Sequence, residues 1–251
     1  MQHYDVIVLG TGGAGYQVAM KAKQAGWSVA VVNDGLAGGT CSVRGCIPKK
    51  VLAGTAEVID TNRRLGDSGI MNHQPGVSWS DLIAFKRTFT DSVPGSTEKA
   101  LTDAGIDLYT GSSKFVSNLT LEVNGDTLSA KKIHIAVGAT PAQLSIEGAE
   151  HLINSDDFLE LNDLPKRIVF VGGGYVSFEF AHVAARFGAD VTILHSNETP
   201  LTMFDQDMIQ SLLEASKDIG IQVELHAGVS KIAKTGDTVT ITTTDGRTFE
   251  A

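Results

Sequence analysis

Cys41 and Cys46 are the only cysteines in the 251-residue chain. They lie in Gly38-Gly39-Thr40-Cys41-Ser42-Val43-Arg44-Gly45-Cys46-Ile47-Pro48-Lys49-Lys50. Two thiols this close can cycle between dithiol and disulfide, sit as a buried pair that never oxidises, or form half of a metal site. Metal is the weakest of the three, because the chain has no further cysteine and no paired histidine spacing. Five residues of straight helix rise about 7.5 Å, more than the roughly 4.4–6.8 Å between the Cα atoms of a disulfide. A Cys41–Cys46 bridge therefore needs a bent segment, and Gly45 gives the backbone that freedom. Pro48 suits the first turn of a following helix, whose N-terminal dipole favours thiolate over thiol.

The second chemical signal is Gly10-Thr11-Gly12-Gly13-Ala14-Gly15, directly after the apolar run Tyr4 to Leu9. Tyr16 to Gln24 reads as a helix stopped by Gly26, and Ser28 to Val32 as a second strand. In this strand–turn–helix–strand setting Gly10 permits the tight turn, Gly12 lets backbone approach a pyrophosphate, and Gly15 lets helix pack on strand. The helix N-terminus offers unpaired N–H groups and positive dipole to phosphates. Where the fingerprint expects an acid this chain has Asn33, followed by Asp34. An amide there can still hydrogen-bond a ribose hydroxyl, with less selectivity.

The pattern repeats. Ile168 to Val171 is a strand, Gly172-Gly173-Gly174-Tyr175-Val176-Ser177 opens a helix running to Phe187, Gly188 stops it, and Asp190 to Leu194 is the next strand. Gly26 and Gly188 each fall sixteen residues after the first glycine of their motif, and Asn33 and His195 each fall twenty-three after it. We read this as an internal duplication giving two dinucleotide sites, whose natural use is electron transfer between them. Tyr175 and Glu179 are four apart and share one helix face. The apolar neighbours Phe178, Phe180 and Ala181 argue for a buried partner of Glu179.

Other elements connect these signals. Helices are expected over Val51 to Arg64, Trp79 to Phe89 and Thr97 to Ala104, with a loop at Pro75-Gly76. Short strands are expected over Ile106 to Tyr109, Lys114 to Val116 and Thr120 to Val123, with a hairpin turn at Asn124-Gly125. Lys132 to Val137 is a strand running into Gly138-Ala139-Thr140-Pro141, and Thr238 to Phe249 is a hairpin around Asp245-Gly246. The hydrophobic share of 42% and charged share of 20% fit a soluble globular protein. A net charge of −9 argues against nucleic acid as a partner. No apolar run approaches the roughly eighteen residues of a membrane span. The start carries no signal peptide, which implies a cytoplasmic location, where a close cysteine pair is catalytic or metal-binding rather than a staple.

Taken together, Gly-Gly-Thr-Cys-x4-Cys-x-Pro-Lys-Lys, the Gly10 motif before it and Gly-Gly-Gly-Tyr-Val-Ser-Phe-Glu after it resemble the class I pyridine nucleotide–disulfide oxidoreductases, most closely their glutathione reductase-like branch. The resemblance implies an α/β fold of two Rossmann-like three-layer domains. Residues 1–150 would be an FAD-binding domain carrying the cysteine pair, and 151–251 an NAD(P)-binding domain. Both would be incomplete, with the C-terminal dimerisation domain absent and the full-length parent a homodimer. Gly10, Gly12 and Gly15 would hold FAD, with Asn33 at the ribose. Gly39, Thr40 and Lys49 would contact the flavin, Ser113 would lie near the adenine, and Gly138 would match the crossover after the Ile133 to Val137 strand. Cys41 would be the interchange thiol and Cys46 the flavin-side thiol. Gly172, Gly174, Ser177 and His195 would bind the nicotinamide nucleotide, Glu179 would pair with Lys49, and Tyr175 would cover the flavin. A protonated His195, with no acid at the strand end, tips the choice toward NADP over NAD.

The implied activity passes electrons from NAD(P)H through FAD and a Cys41–Cys46 disulfide to a small disulfide substrate resembling glutathione disulfide. The alternatives are a dihydrolipoamide dehydrogenase-like enzyme or a non-catalytic nucleotide-binding fragment of such an enzyme. Taken alone, the chain is expected to turn over little disulfide. His182, on the second motif's helix, is expected to be a core or surface residue.

Overall fold

A computed structural model describes residues 1–70 and 76–251; Pro75 of the expected loop lies outside the described residues. The chain divides into two units, Met1–Lys50 with Phe85–Thr140, and Val51–Ala84 with Pro141–Ala251.

The first unit starts with strand β1 (Gln2–Leu9), helix α1 (Gly13–Gln24) and strand β2 (Val29–Asn33). A short helix α2 (Gly39–Val43) and the start of α3 (Cys46–Asp67) follow. Helix α4 (Trp79–Thr90) returns the chain to this unit, and α5 (Val93–Asp103) leads to β3 (Asp107–Thr110), β4 (Ser113–Ser117), β5 (Thr120–Val123) and β6 (Asp126–Ile135). The strands form one sheet in the order β3-β2-β1-β6-β5-β4; β3, β2, β1 and β6 run parallel, while β5 and β4 are antiparallel additions. Its parallel part is apolar on both faces, as a sheet covered on both sides requires. Val6 and Val8 pack with Val29, Val31, Ala19 and Leu101, while Ile7 and Leu9 pack with Ala30, Val32 and Leu121 on the other face. The expected turn is present at Asn124-Gly125, both with positive φ (50° and 89°), which is the geometry of a tight hairpin.

On the central strand β1, Asp5 accepts from Lys131 Nζ of β6 and from Ser28 N, each at 2.8 Å, and the Lys131 bond leads in holding the Asp5 carboxyl down to about 2. The strand expected over Lys132 to Val137 is instead β6, longer at its start and shorter at its end. Pairing with β5 at one side and β1 at the other extends it backward to Asp126. The helix expected from Val51 begins at Cys46, with Pro48 third, where its missing N–H costs no intrahelical bond.

The second unit carries α6 (Ser155–Phe158), β7 (Arg167–Val171), α7 (Tyr175–Arg186), β8 (Asp190–Leu194), α8 (Gln206–Asp218) and β9 (Gln222–Glu224), with β7, β8 and β9 parallel. An antiparallel meander of β10 (Val229–Thr235), β11 (Thr238–Thr243) and β12 (Thr248–Glu250) completes it. The core joins Phe178, Phe180, Val183 and Ile193 to Leu52, Trp79, Ile83 and Phe158. Trp79 meets Phe158 and Phe187 edge-on at 5.7 and 5.4 Å and donates its indole N–H to the Leu161 carbonyl at 2.7 Å. The polar handle of the aromatic ring is thereby satisfied inside an apolar core. Among the described residues, no helix is long and apolar enough to cross a membrane.

Candidate active site

In the first unit, β1 ends by pairing Gly10 N–H with the Val32 carbonyl at 2.7 Å, and the chain turns through Gly10 at φ +100°. A Cβ on Gly10 would overlap the Ala136 carbonyl oxygen, and one on Gly15 the Gly10 carbonyl oxygen. Gly12 is the N-cap of α1 and no side chain caps the helix, so its first N–H groups face outward from the turn. Asn33 is 8% exposed at the end of β2. Its Oδ1 accepts from the Thr11 hydroxyl at 2.7 Å, and its Nδ2 donates to the Gly35 carbonyl at 2.7 Å.

Gly39 follows immediately and rests on this turn. Its φ is +71°, and a Cβ on it would overlap Gly12 Cα. The glycine pair before Cys41 is therefore what lets the cysteine segment lie against the dinucleotide turn. Cys41 sits in α2, Arg44 breaks the helix at φ −142°, and Cys46 opens α3. The two cysteines are joined in a disulfide with Cα atoms 4.6 Å apart. The bend required by the sequence is at Arg44-Gly45. There Gly45 is packed so closely that a Cβ would lie 2.8 Å from the Thr40 carbonyl oxygen.

The second unit repeats the first turn bond for bond. Gly172 has φ +103° and bonds the Leu194 carbonyl at 2.8 Å, and Gly174 is the N-cap of α7, again without a side-chain cap. The stops match as well: Gly26 N–H bonds Lys23 O at 2.9 Å, and Gly188 N–H bonds Ala185 O at 3.0 Å. His195 directly follows β8. Its Nδ1 accepts from the Gly173 N–H at 3.3 Å, and its Nε2 donates to the Thr199 carbonyl at 3.0 Å, so both ring nitrogens are bonded inside the unit.

Tyr175 and Glu179 line one cavity of about 640 Å³, walled by Phe178 and Val183 of α7, Ala53 and Ala56 of α3, and Leu201 and Ile209. Tyr175 is 62% exposed at its mouth. Deeper in the same wall a polar chain runs from Asp60 to Arg186 (3.4 Å), from Arg186 to His182 Nδ1 (3.1 Å) and from His182 Nε2 to Ser216 Oγ (2.9 Å). Ser216 donates to the Leu212 carbonyl, so His182 donates through Nε2 and is neutral. Burial, reinforced by the Arg186 charge and opposed by Asp60, lowers its pKa to about 4.

The remaining expected residues are distributed as follows. Thr40 is exposed on α2, and Lys49 lies in the first turns of α3, where its N–H bonds Gly45 O at 3.0 Å. Ser113 opens β4 opposite Val123, Gly138 follows β6 at φ +74°, and Ser177 lies in the first turn of α7. Gly10, Gly12, Gly15, Asn33, Gly39 and the cysteines are thus gathered in the first unit, and Gly172, Gly174, Tyr175, Ser177, Glu179 and His195 in the second. Sequence reasoning missed Thr11, which occupies a position the glycine fingerprint leaves free. It also missed the Asp60–Arg186–Ser216 chain, in which three separate elements converge.

The family model described as pyridine nucleotide-disulphide oxidoreductase matches residues 4–251. A dihydrolipoyl dehydrogenase from Acholeplasma laidlawii is 32% identical over 92% of this chain and 71% of its own length. A glutathione reductase from Burkholderia cepacia is 31% identical over 100% of this chain and 56% of its own. A mercuric reductase from Lysinibacillus sphaericus is 31% identical over 94% of this chain and 44% of its own. Among solved structures, the HOCl-induced flavoprotein disulfide reductase RclA from Escherichia coli, as a Cu(II) complex, superposes with a TM-score of 0.87 at 27% identity, covering 100% of this chain and 55% of that one. The chain spans about half the length of most of these relatives.

Proposed function

The chain belongs to the pyridine nucleotide-disulphide oxidoreductase family, and from that premise we propose that its protein is an NAD(P)H-dependent FAD disulfide reductase acting on a small disulfide such as glutathione disulfide. The observation that carries the proposal is the Cys41–Cys46 disulfide beginning two residues after Gly39, which is packed on the first glycine turn. Both turns fit a dinucleotide: each presents an uncapped helix N-terminus behind glycines that leave room for a phosphate. The first unit would hold FAD, through Gly10, Gly12, Gly15, Asn33, Gly39, Thr40, Lys49, Ser113 and Gly138. The second would hold NADPH or NADH, through Gly172, Gly174, Tyr175, Ser177, Glu179 and His195.

When bound, FAD supplies the two-electron relay between a nicotinamide hydride and the disulfide. The chain's own residues do the rest. Two electrons and two protons convert the disulfide to two thiols. The N-terminus of α3 lowers the cost of holding Cys46 as thiolate. Cys41 as thiolate attacks one sulfur of the substrate disulfide and expels the first product thiolate. Cys46 then attacks Cys41 in the mixed disulfide, expelling the second product thiol and restoring the Cys41–Cys46 bond. Lys49 would pair with Glu179 beside the flavin, and Tyr175 would close over the site until nicotinamide displaces it. A cytoplasmic homodimer is part of the same proposal, since a reducing compartment supplies NAD(P)H and disfavours a merely structural disulfide.

The test is steady-state oxidation of NADPH and NADH by the purified full-length protein with glutathione disulfide, lipoamide and mercuric ion offered separately. Turnover with glutathione disulfide above the other two supports the proposal, turnover with lipoamide alone moves it to the dehydrogenase branch, and no turnover with any of them overturns it.

A further inference from the structure

The segment carrying the cysteines is fastened to the dinucleotide turn by three successive hydrogen bonds. The Gly38 N–H donates to the Thr11 hydroxyl oxygen at 3.1 Å, the Thr11 hydroxyl donates to Asn33 Oδ1 at 2.7 Å, and Asn33 Nδ2 donates to the Gly35 carbonyl at 2.7 Å. Thr11 is 2% exposed and Asn33 8%. The Thr11–Asn33 bond is therefore shielded from water, and the bonds to Gly38 and Gly35 at either end of it are part-buried. Gly38 is the N-cap of α2, the helix that carries Cys41, so the clamp ends three residues before the cysteine. Gly38 is pinned from the other side too, since a Cβ on it would lie 2.6 Å from Val93 Cγ1 of α5.

We propose that Thr11 and Asn33 are positioning residues that set the redox equilibrium of the Cys41–Cys46 pair, by holding the start of α2 against the dinucleotide turn. At position 11 the hydroxyl both accepts from Gly38 N–H and donates to Asn33, which an apolar side chain such as valine cannot do. At position 33 an amide serves and a carboxylate does not. Its oxygen must accept from Thr11 while its nitrogen donates to a carbonyl, and a carboxylate would set a negative oxygen against Gly35 O. The balanced exchange is disulfide plus two glutathione giving dithiol plus glutathione disulfide. In the dithiol the clamp keeps Cys41 within reach of Cys46 and so raises its effective concentration for reclosure. Releasing the clamp frees α2, weakens reclosure and makes the disulfide easier to reduce.

The inference rests on the disulfide and the clamp, and its test uses neither flavin nor nicotinamide, so its failure is distinct from failure of the proposed reductase activity. The 251-residue chain is equilibrated in glutathione redox buffers, and the dithiol fraction is counted by thiol alkylation and mass. Thr11→Val and Asn33→Asp should each raise the equilibrium constant for reduction by about three- to tenfold, a shift of up to about 30 mV. Thr11→Ser should stay within about twofold of wild type, and so should Val31→Ala, which loosens the same sheet away from the clamp. A wild-type value for Thr11→Val, or a Ser variant shifted as far as the Val variant, overturns the proposal. If Thr11→Val does not fold, Asn33→Asp carries the test alone: a shift supports the clamp and a wild-type value overturns it.

Discussion

Thr11 donates its hydroxyl hydrogen to Asn33 Oδ1 at 2.7 Å, joining the position after the first glycine to the side chain at the end of the second strand. The second unit contains the same link between different residue types, from the Gly173 N–H to His195 Nδ1 at 3.3 Å. The two positions correspond across the internal repeat. In the first unit the donor is a hydroxyl and the acceptor an amide; in the second a backbone N–H meets an imidazole. The repeat thus preserves a mechanical tie across the turn while the chemistry of the tie has diverged.

Close backbone approach, rather than backbone conformation alone, is what the cysteine segment needs from Gly39. Gly39→Ala would force a methyl into Gly12 Cα at φ +71°, whereas Gly26→Ala meets open space at φ +83°. We expect Gly26→Ala to cost about 1 kcal/mol for the left-handed backbone alone. Gly39→Ala should cost about 2 kcal/mol or more and also abolish dinucleotide binding at the first turn. Urea unfolding and equilibrium dialysis against FAD measure both, and equal costs for the two variants would contradict the packing described for Gly39.

His182 gives the second unit a pH dependence of its own. Its pKa falls from 6.5 to about 4 on folding, so the unfolded chain takes up the proton first as pH drops. The stabilisation is complete above pH 6.5 and is lost progressively as pH falls toward 4. Allowing for solvent around a ring that is only partly buried, the loss is about 1–2 kcal/mol. Asp5 acts in a separate window, between 3.8 and about 2. His182→Gln should flatten the stability profile between pH 6.5 and 4 in urea titrations, and an unchanged slope would rule out this ring as its source.

Selection between the two nicotinamide nucleotides should be weak. The segment from His195 to Pro200 contains no arginine, and both nitrogens of the His195 ring are bonded within the unit, to Gly173 and Thr199. We expect wild-type protein to distinguish NADPH from NADH by less than about tenfold, and Asn197→Arg, an exposed position, to favour NADPH by about a further tenfold through a charge-assisted phosphate contact. Comparing kcat/KM for the two nucleotides checks this; a native preference beyond a hundredfold would require a phosphate contact from elsewhere.

The parts legible in the sequence are those dictated by local backbone chemistry. Gly10, Gly26, Gly172 and Gly188 all adopt the positive φ that their positions in turn and helix stop demand. The bend between the cysteines followed from bond geometry, and its location followed from Gly45. Long-range pairing was less legible. Strand β6 reaches back to Asp126 because two neighbours extend it, and β10, the partner of the tail hairpin, carries Lys231 and Lys234 in a weak alternation. Thr11 was invisible for another reason: its role depends on where Asn33 and Gly38 lie in space. The contacts of the His195 ring with Gly173 and Thr199 are likewise ones that no spacing reveals.

The central claim is that Cys46, at the N-terminus of α3, faces a bound flavin while Cys41 serves the substrate. The most direct measurement is absorption spectroscopy of FAD-loaded full-length protein, taken for wild type after anaerobic two-electron reduction and for Cys41→Ser and Cys46→Ser with the flavin left oxidised, since neither variant has a disulfide to take up the electrons. A long-wavelength charge-transfer band in wild type and in Cys41→Ser, and its loss in Cys46→Ser, is the predicted result. A band that persists in Cys46→Ser, or is absent from wild type, would contradict it.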